Sequence, residues 1–419
     1  MRHLPLIAAL ALGPALGAPR VARAHGPAPS VLGVLTTDDE GRPGLLRTNV
    51  GLVQRQRDGT YAHVCPSQWG GLETAFAAAL PDASLVGAIA YGRLYLSVDG
   101  ACSFAEVALP EPWLASSIEA FDGRLWVLAR AGAGEIAGDA LLAVDRTRRV
   151  EHVQRFDDGV SILDVRAGPA GRAERLWAVA AEPTPALFVA EREAPARWRR
   201  LGGLPEDPPA WLELRGTSTD TVWLEATVEA SRELWRVVLG ADGAAATVQR
   251  VGPFARAHGP ERLAGTWLAV LDGQLAAWDA RAAAWQNRRG VSWTCLAARG
   301  ARLYACDLGA LHELTARPEG AVDERLAFDF VQIGPPRPGC PPDEPAAMAC
   351  ETDWVHFGGE AGWLETTPAT SPDGERAPGP PPERGGCSVA GGTASAPWLG
   401  LAPALLALRR RRRLDRGKP

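Results

Sequence analysis

Short apolar runs broken by glycine, proline and aspartate dominate the middle of the chain, and long amphipathic stripes are scarce. The runs resemble one another. Gly92-Arg-Leu-Tyr-Leu-Ser97, Gly123-Arg-Leu-Trp-Val-Leu128, Glu174-Arg-Leu-Trp-Ala-Val179, Asp220-Thr-Val-Trp-Leu-Glu225 and Ala301-Arg-Leu-Tyr-Ala-Cys306 share a frame, with Gly265-Thr-Trp-Leu-Ala-Val270 as a shifted member. Short β-prone segments between turn residues read as strands. The repeated aromatics Tyr95, Trp126, Trp177, Trp223, Trp267 and Tyr304 recur 31, 51, 46, 44 and 37 residues apart. A period near 40 residues with several strands per unit predicts propeller blades. Within a unit, Leu234–Leu239, Ala241-Asp242-Gly243 and Thr247–Val251 read as a hairpin, as does Leu271-Asp272-Gly273-Gln274-Leu275 with Trp278 behind it, because Asp-Gly favours tight β-turns. Val31 to Ile333, at roughly 43 residues per blade, gives about seven blades of four-stranded antiparallel sheet in an all-β fold. The aromatics are expected to pack between blades.

The pattern changes at both ends. Met1-Arg2-His3, the apolar stretch Leu4–Ala18 and Ala22-Arg23-Ala24 have the layout of a secretory signal, predicted as 1–24. With no cysteine near that cut, an N-terminal lipid is not expected. The propeller is assigned to 25–333, and 334–367 to an irregular closing segment in which Trp354–Thr366 supplies a last strand. Residues 368–386, rich in Pro, Gly, Ser and charge, are expected to form a disordered linker. Ser388–Leu408 is small and apolar, read as a C-terminal helix, and Arg409–Arg413 follow it. That stretch is about long enough to cross a bilayer once, with the arginines kept cytoplasmic. A short tail, 414–419, ends the chain.

Composition narrows the functional classes. A net charge of −5 gives no case for nucleic acid, and Lys418 is the only lysine, so individual arginines reflect compositional bias. Seven cysteines in an exported chain imply disulfides. Six lie in the body and leave Cys387 unpaired. Sequence alone permits fifteen connectivities for six cysteines. The expected pairs are Cys65–Cys102, Cys295–Cys306 and Cys340–Cys350. The second follows from a hairpin turning at Arg299-Gly300, which makes Cys295 and Cys306 cross-strand neighbours. A zinc site lacks any CxxC or Cys/His cluster.

The tail Gly385-Gly386-Cys387-Ser388, its apolar stretch and Arg409–Arg413 resemble the myxobacterial C-terminal sorting signal (MYXO-CTERM). That resemblance implies cleavage near Cys387 by a membrane sorting protease, after transient inner-membrane anchoring. It also implies cell-surface or outer-membrane display, with Cys387 as the lipid attachment point. The body resembles Asp-box (BNR-like) propellers through Ser97-Val-Asp99-Gly100-Ala101-Cys102-Ser103-Phe104, in which Ala101 replaces a glycine. Arg57-Asp58-Gly59-Thr60-Tyr61 is a more degenerate copy. In such boxes Ser97 and Asp99 build the turn and Phe104 packs beneath it, and the resemblance also pairs Cys102 with Cys65.

No catalytic, metal or cofactor site is expected. A sialidase-like glycoside hydrolase needs an acid and a base or nucleophile across a bond. Yet only Tyr61, Tyr91, Tyr95 and Tyr304 exist, with no legible Tyr–Glu pair. G-x-S-x-G, H-E-x-x-H and the P-loop are absent. His25, His63, His152, His258, His312 and His356 are scattered, Asp38-Asp39-Glu40 reads as a solvated loop, and Gly132–Gly138 lacks a phosphate-binding context. The expectation is a monomeric, surface-displayed binding or structural propeller of the cell envelope, with an unknown protein or glycan partner at its channel face or loops. A secreted glycan-cleaving enzyme is the alternative.

Overall fold

The computed structural model describes residues 29–361 apart from connecting stretches, chiefly 71–75, 132–138, 157–160, 168–174, 206–208, 241–245 and 318–320, and scattered short positions. The predicted signal, linker, Cys387 and apolar tail therefore lie outside the described residues. Seven sheets form a seven-bladed propeller, with blades spanning 31–64, 76–107, 113–155, 161–201, 211–254, 257–290 and 295–329. Each blade is a meander of four consecutive antiparallel strands. First strands touch first strands from blade to blade around the whole ring, so they line the central channel.

Each blade is covered on both faces, which is why its second strand is apolar almost without alternation, whereas outermost strands such as Val150–Arg155 and Ala284–Gly290 are polar and largely exposed. In Arg124–Ala131 of blade three, Leu125, Val127 and Ala129 face blade two, whereas Trp126 and Leu128 face blade four. Successive side chains leave a strand on opposite faces, so one run supplies two interfaces. Seven buried apolar clusters, one per interface, result among the described residues.

The aromatic repeat follows the same rule, with two departures. Trp126, Trp177, Trp223 and Tyr304 occupy equivalent places in second strands, are buried, and face the following blade. Trp267 is shifted by one residue and so points back toward blade five, where it meets Trp223 at 6.2 Å between ring centroids. Tyr95 lies instead in the third strand of blade two, Arg93–Ser97, which accounts for the short first interval of the repeat. The Leu271–Leu275 hairpin forms, and Asp272 and Gly273 at its turn have φ of 50° and 75°, the double positive of a tight hairpin turn.

The closing segment differs from expectation. Ile333–Gly334 pairs in parallel with Tyr61–Val64 on the outer edge of blade one, directly after blade seven. The chain then forms a helix, Glu344–Ala361, where a strand at Trp354–Thr366 was expected. Asp343 caps the helix by accepting the Ala346 amide at 2.8 Å, and Pro345 sits in the first turn, where its missing N–H costs nothing. Trp354 enters the apolar cluster between blades one and seven, and Asp353 accepts the Ser67 amide at 2.9 Å.

Two of the three expected disulfides are replaced. Cys295–Cys306 forms across directly paired residues. Cys65 joins Cys350, and Cys102 joins Cys340, so the pairs Cys65–Cys102 and Cys340–Cys350 do not exist. The helix carries Cys350 away from Cys340 at 1.5 Å per residue and delivers it to the end of the last strand of blade one. Both long-range bonds fasten the closing segment to the first two blades.

Candidate functional site

Most residues singled out in the sequence serve the framework. Asp99 accepts the Cys102 and Ser103 amides at 3.0 and 2.9 Å, and Ser97 donates to it at 2.7 Å while accepting the Ala101 amide at 2.9 Å. Ala101 takes φ 64° in this turn, and Phe104 meets Trp69 edge-on at 4.9 Å. Asp38 accepts the Glu40 and Arg42 amides and pairs with Arg42 and Arg55. His63 is buried, hydrogen-bonded through Nε2 to the Val50 carbonyl at 3.0 Å. His312 lies between Asp307 at 3.1 Å and Glu324 at 2.9 Å.

Tyr304 has an acidic neighbour that the sequence did not reveal: it pairs across the sheet with Glu313. Its hydroxyl donates to the Gly41 carbonyl, and Glu313 is held by Arg302 and Arg325. Burial, reinforced by the Glu313 charge, pushes the phenol up to about 12. A nucleophile needs the opposite shift. An open depression of about 430 Å³ in blade seven is lined by Ser292, Asp307, Gly309, Ala310 and Asp329. Its carboxylates are engaged by their own turns: Asp307 accepts the Gly309 and Ala310 amides, and Asp329 accepts the Val331 amide.

One face of the ring carries a different signal. First strands begin there, and the turns between second and third strands end there. Leu32, Phe76, Leu114 and Trp211 all lie at the starts of first strands, and Tyr91 is in the adjoining turn of blade two. These five side chains are between 40% and 67% exposed, unlike the buried apolar residues below them. Phe76, Tyr91 and Leu114 are neighbours, since Phe76 pairs with Ile89 and Leu114 abuts Gly92. Tyr91 is the most exposed of them and has φ 52°, a left-handed conformation that costs a bulky residue about 1 kcal/mol. Packing does not require this side chain, so strain and exposure together point to a role outside the fold.

The same face becomes charged between blades five and six. Glu225 shares its strand face with Trp223, and its carboxylate is only 4% exposed. It accepts Arg215 Nε at 2.7 Å and Arg232 Nη1 at 2.5 Å, and Arg215 also reaches Glu213 at 2.9 Å. His258, second residue of the first strand of blade six, faces this group. Burial, and then the charges of Arg215, Arg232 and Arg256, lower its pKa to about 4, so the imidazole is neutral at pH 7. Arg215, Glu225, Arg232 and His258 come from four strands, and no local motif announces them. The available signal was Glu225 itself, a carboxylate in the apolar run Val222-Trp-Leu-Glu-Ala226. Among the described residues no group of three or more His, Cys, Asp or Glu side chains is placed to hold a metal.

No family model matches the chain, and no curated protein does. Solved structures do. The extracellular domain of BT4673 from B. thetaiotaomicron is 12% identical over 68% of this chain and 38% of its own, with a TM-score of 0.42. Puromycin hydrolase is 19% identical over 68% of this chain and 51% of its own, with a TM-score of 0.45. Oligogalacturonate lyase from Vibrio parahaemolyticus is 7% identical over 71% and 89%, also with a TM-score of 0.45. The chain thus spans about two fifths and one half of the first two, and at these identities the likeness concerns architecture alone.

Proposed function

We propose that this chain is a surface-displayed binding propeller of the cell envelope, and that it meets its partner through the channel face bearing Leu32, Phe76, Tyr91, Leu114 and Trp211. The observation that carries this reading is the strained, exposed Tyr91 within that collar. Exposed apolar groups gathered at a rim mark contact surfaces, and Tyr and Trp are the side chains that most often anchor them. Selection of a random peptide library on the immobilised body is expected to enrich ligands that lose affinity for Tyr91→Asn and Trp211→Ser. Tyr91→Asn should meanwhile gain about 0.5–1 kcal/mol of stability, because Asn tolerates the left-handed conformation better. Selected ligands that bind both variants unchanged would move the contact surface elsewhere, and robust turnover of sialosides or other glycosides by the purified body would favour the enzyme reading.

Display at the surface is the second part of the proposal. It rests on the signal-like start, the tail around Cys387 and three disulfides of the kind that persist outside the cytoplasm. Cys387→Ala is expected to release the protein into the medium or leave it in the inner membrane, as read by fractionation. Undiminished surface retention would remove Cys387 from the sorting scheme. Among the described residues no helix is long and apolar enough to cross a membrane, and Ser388–Leu408 lies outside them.

A further inference from the structure

We propose that the channel face recognises an acidic, apolar protein segment, with one of its carboxylates received by Arg232 and Arg256 at the edge of blades five and six. This rests on the collar being the binding face, and it specifies what the collar binds. Arg232 spends one donor on Glu225 and its side chain remains 41% exposed, so its guanidinium keeps further N–H donors for a ligand. Arg256 is exposed, and its side chain has no carboxylate partner among the described residues. The neutral imidazole of His258 adds no charge beside them, and they lie at the edge of the partly buried Arg215–Glu225 group, where a charge-assisted hydrogen bond is stronger than at an open surface.

The surroundings select the class of ligand. Glu213 and Glu225 offset two of the three arginines Arg215, Arg232 and Arg256, so the group keeps one net positive charge, which matches an isolated carboxylate better than a densely charged polyanion. Leu32 and Leu114 add branched aliphatic surface to the aromatic Phe76, Tyr91 and Trp211, a mixture that suits the varied apolar side chains of a protein segment. Apolar anchors next to arginine are the composition of a protein-recognising patch.

The test uses the purified chain and synthetic peptides of one length, with Leu and Phe at fixed positions and Glu, Ser or Lys elsewhere, alongside polygalacturonate, all measured by calorimetry. The Glu peptide is expected to bind about tenfold more tightly than the Ser peptide, a difference that shrinks with added salt, and the Lys peptide least. Arg256→Gln, and the double variant with Arg232→Gln, should bring the Glu peptide down to the level of the Ser peptide. Trp211→Ser should weaken both. Equal binding of the Glu and Ser peptides, both still dependent on Trp211, would overturn the carboxylate site and leave the collar standing. Peptide binding that ignores Trp211 would count against the collar itself. No binding by the Glu peptide, or arginine-dependent binding of polygalacturonate in its place, would overturn the protein-segment assignment.

Discussion

Replacing Cys65 and Cys350 by alanine is expected to lower stability by about 4 kcal/mol and to loosen the ring where blade seven meets blade one. The reason lies in how the ring is closed. Blades one and seven each complete four strands from their own sequence, so no strand is shared across the seam. Beyond the apolar interface the two blades share, closure falls to the two-residue pairing at Ile333–Gly334, the helix Glu344–Ala361 and the two long-range disulfides. Cys65–Cys350 joins residues 285 apart, and a loop of that size is expensive to close from the unfolded chain. With Cys102–Cys340 intact the remaining loop is far shorter, which holds the expected loss near 4 kcal/mol. Urea denaturation would read the loss, and hydrogen exchange would place it. Exchange should accelerate in Val31–Thr37, in the closing helix and in the strands of blade seven that face blade one. Cys295→Ala with Cys306→Ala cuts a bond between residues only 11 apart and should disturb its own hairpin alone. An unchanged urea midpoint for the Cys65/Cys350 variant would show that packing of Trp354 and the blade interface suffices to hold the seam.

The contrast between these disulfides shows which features a sequence carries. Cys295–Cys306 was legible because both cysteines belong to one hairpin whose turn fixes the register. Cys65–Cys350 and Cys102–Cys340 were not, because they record where the closed ring brings its two ends. The blade count was legible for the local reason again: short apolar strands between turn residues, repeated with an aromatic marker. That marker misled once, at Tyr95, where a similar pentapeptide serves as a third strand. Asp343 followed by Pro345 is a helix-start signal that the surrounding prolines mask in sequence.

The channel face was the least legible part of the molecule. An exposed Trp211 and a buried Trp223 look alike in sequence, since each sits in a β-prone run with turn residues nearby. Only the ring decides which end of a first strand opens to solvent. The Arg215–Glu225–Arg232 group likewise assembles from three neighbouring strands of blade five and meets His258 of blade six. An arginine-rich composition hides such a group among arginines that pair at exposed edges, as Arg93 does with Glu106 and Arg124 with Glu151. Exposed pairs of that kind contribute little. Burial sets Glu225 apart from them.

Glu225→Ala is accordingly expected to cost about 3 kcal/mol, far more than any exposed carboxylate of the chain. The side chain is 4% exposed and receives two guanidinium groups. Removing it takes from Arg215, itself only 22% exposed, its most deeply buried carboxylate and leaves it Glu213 at 2.9 Å. Breaking a buried pair from one side leaves an uncompensated charge, which typically costs about 3–5 kcal/mol. Arg232 is exposed enough to turn toward water, and that screening sets the expectation at the lower end of the range. Removing both partners should behave differently. Glu225→Leu combined with Arg215→Met replaces the pair by apolar groups beside Trp223, and such a swap is expected to stay within about 1 kcal/mol of the parent. Urea denaturation of the three proteins decides the matter. A loss below about 0.5 kcal/mol for Glu225→Ala would mean that water reaches the cluster freely. If the double variant loses as much as the single, the shape of the packing around Glu225, and not its charge, sets the cost.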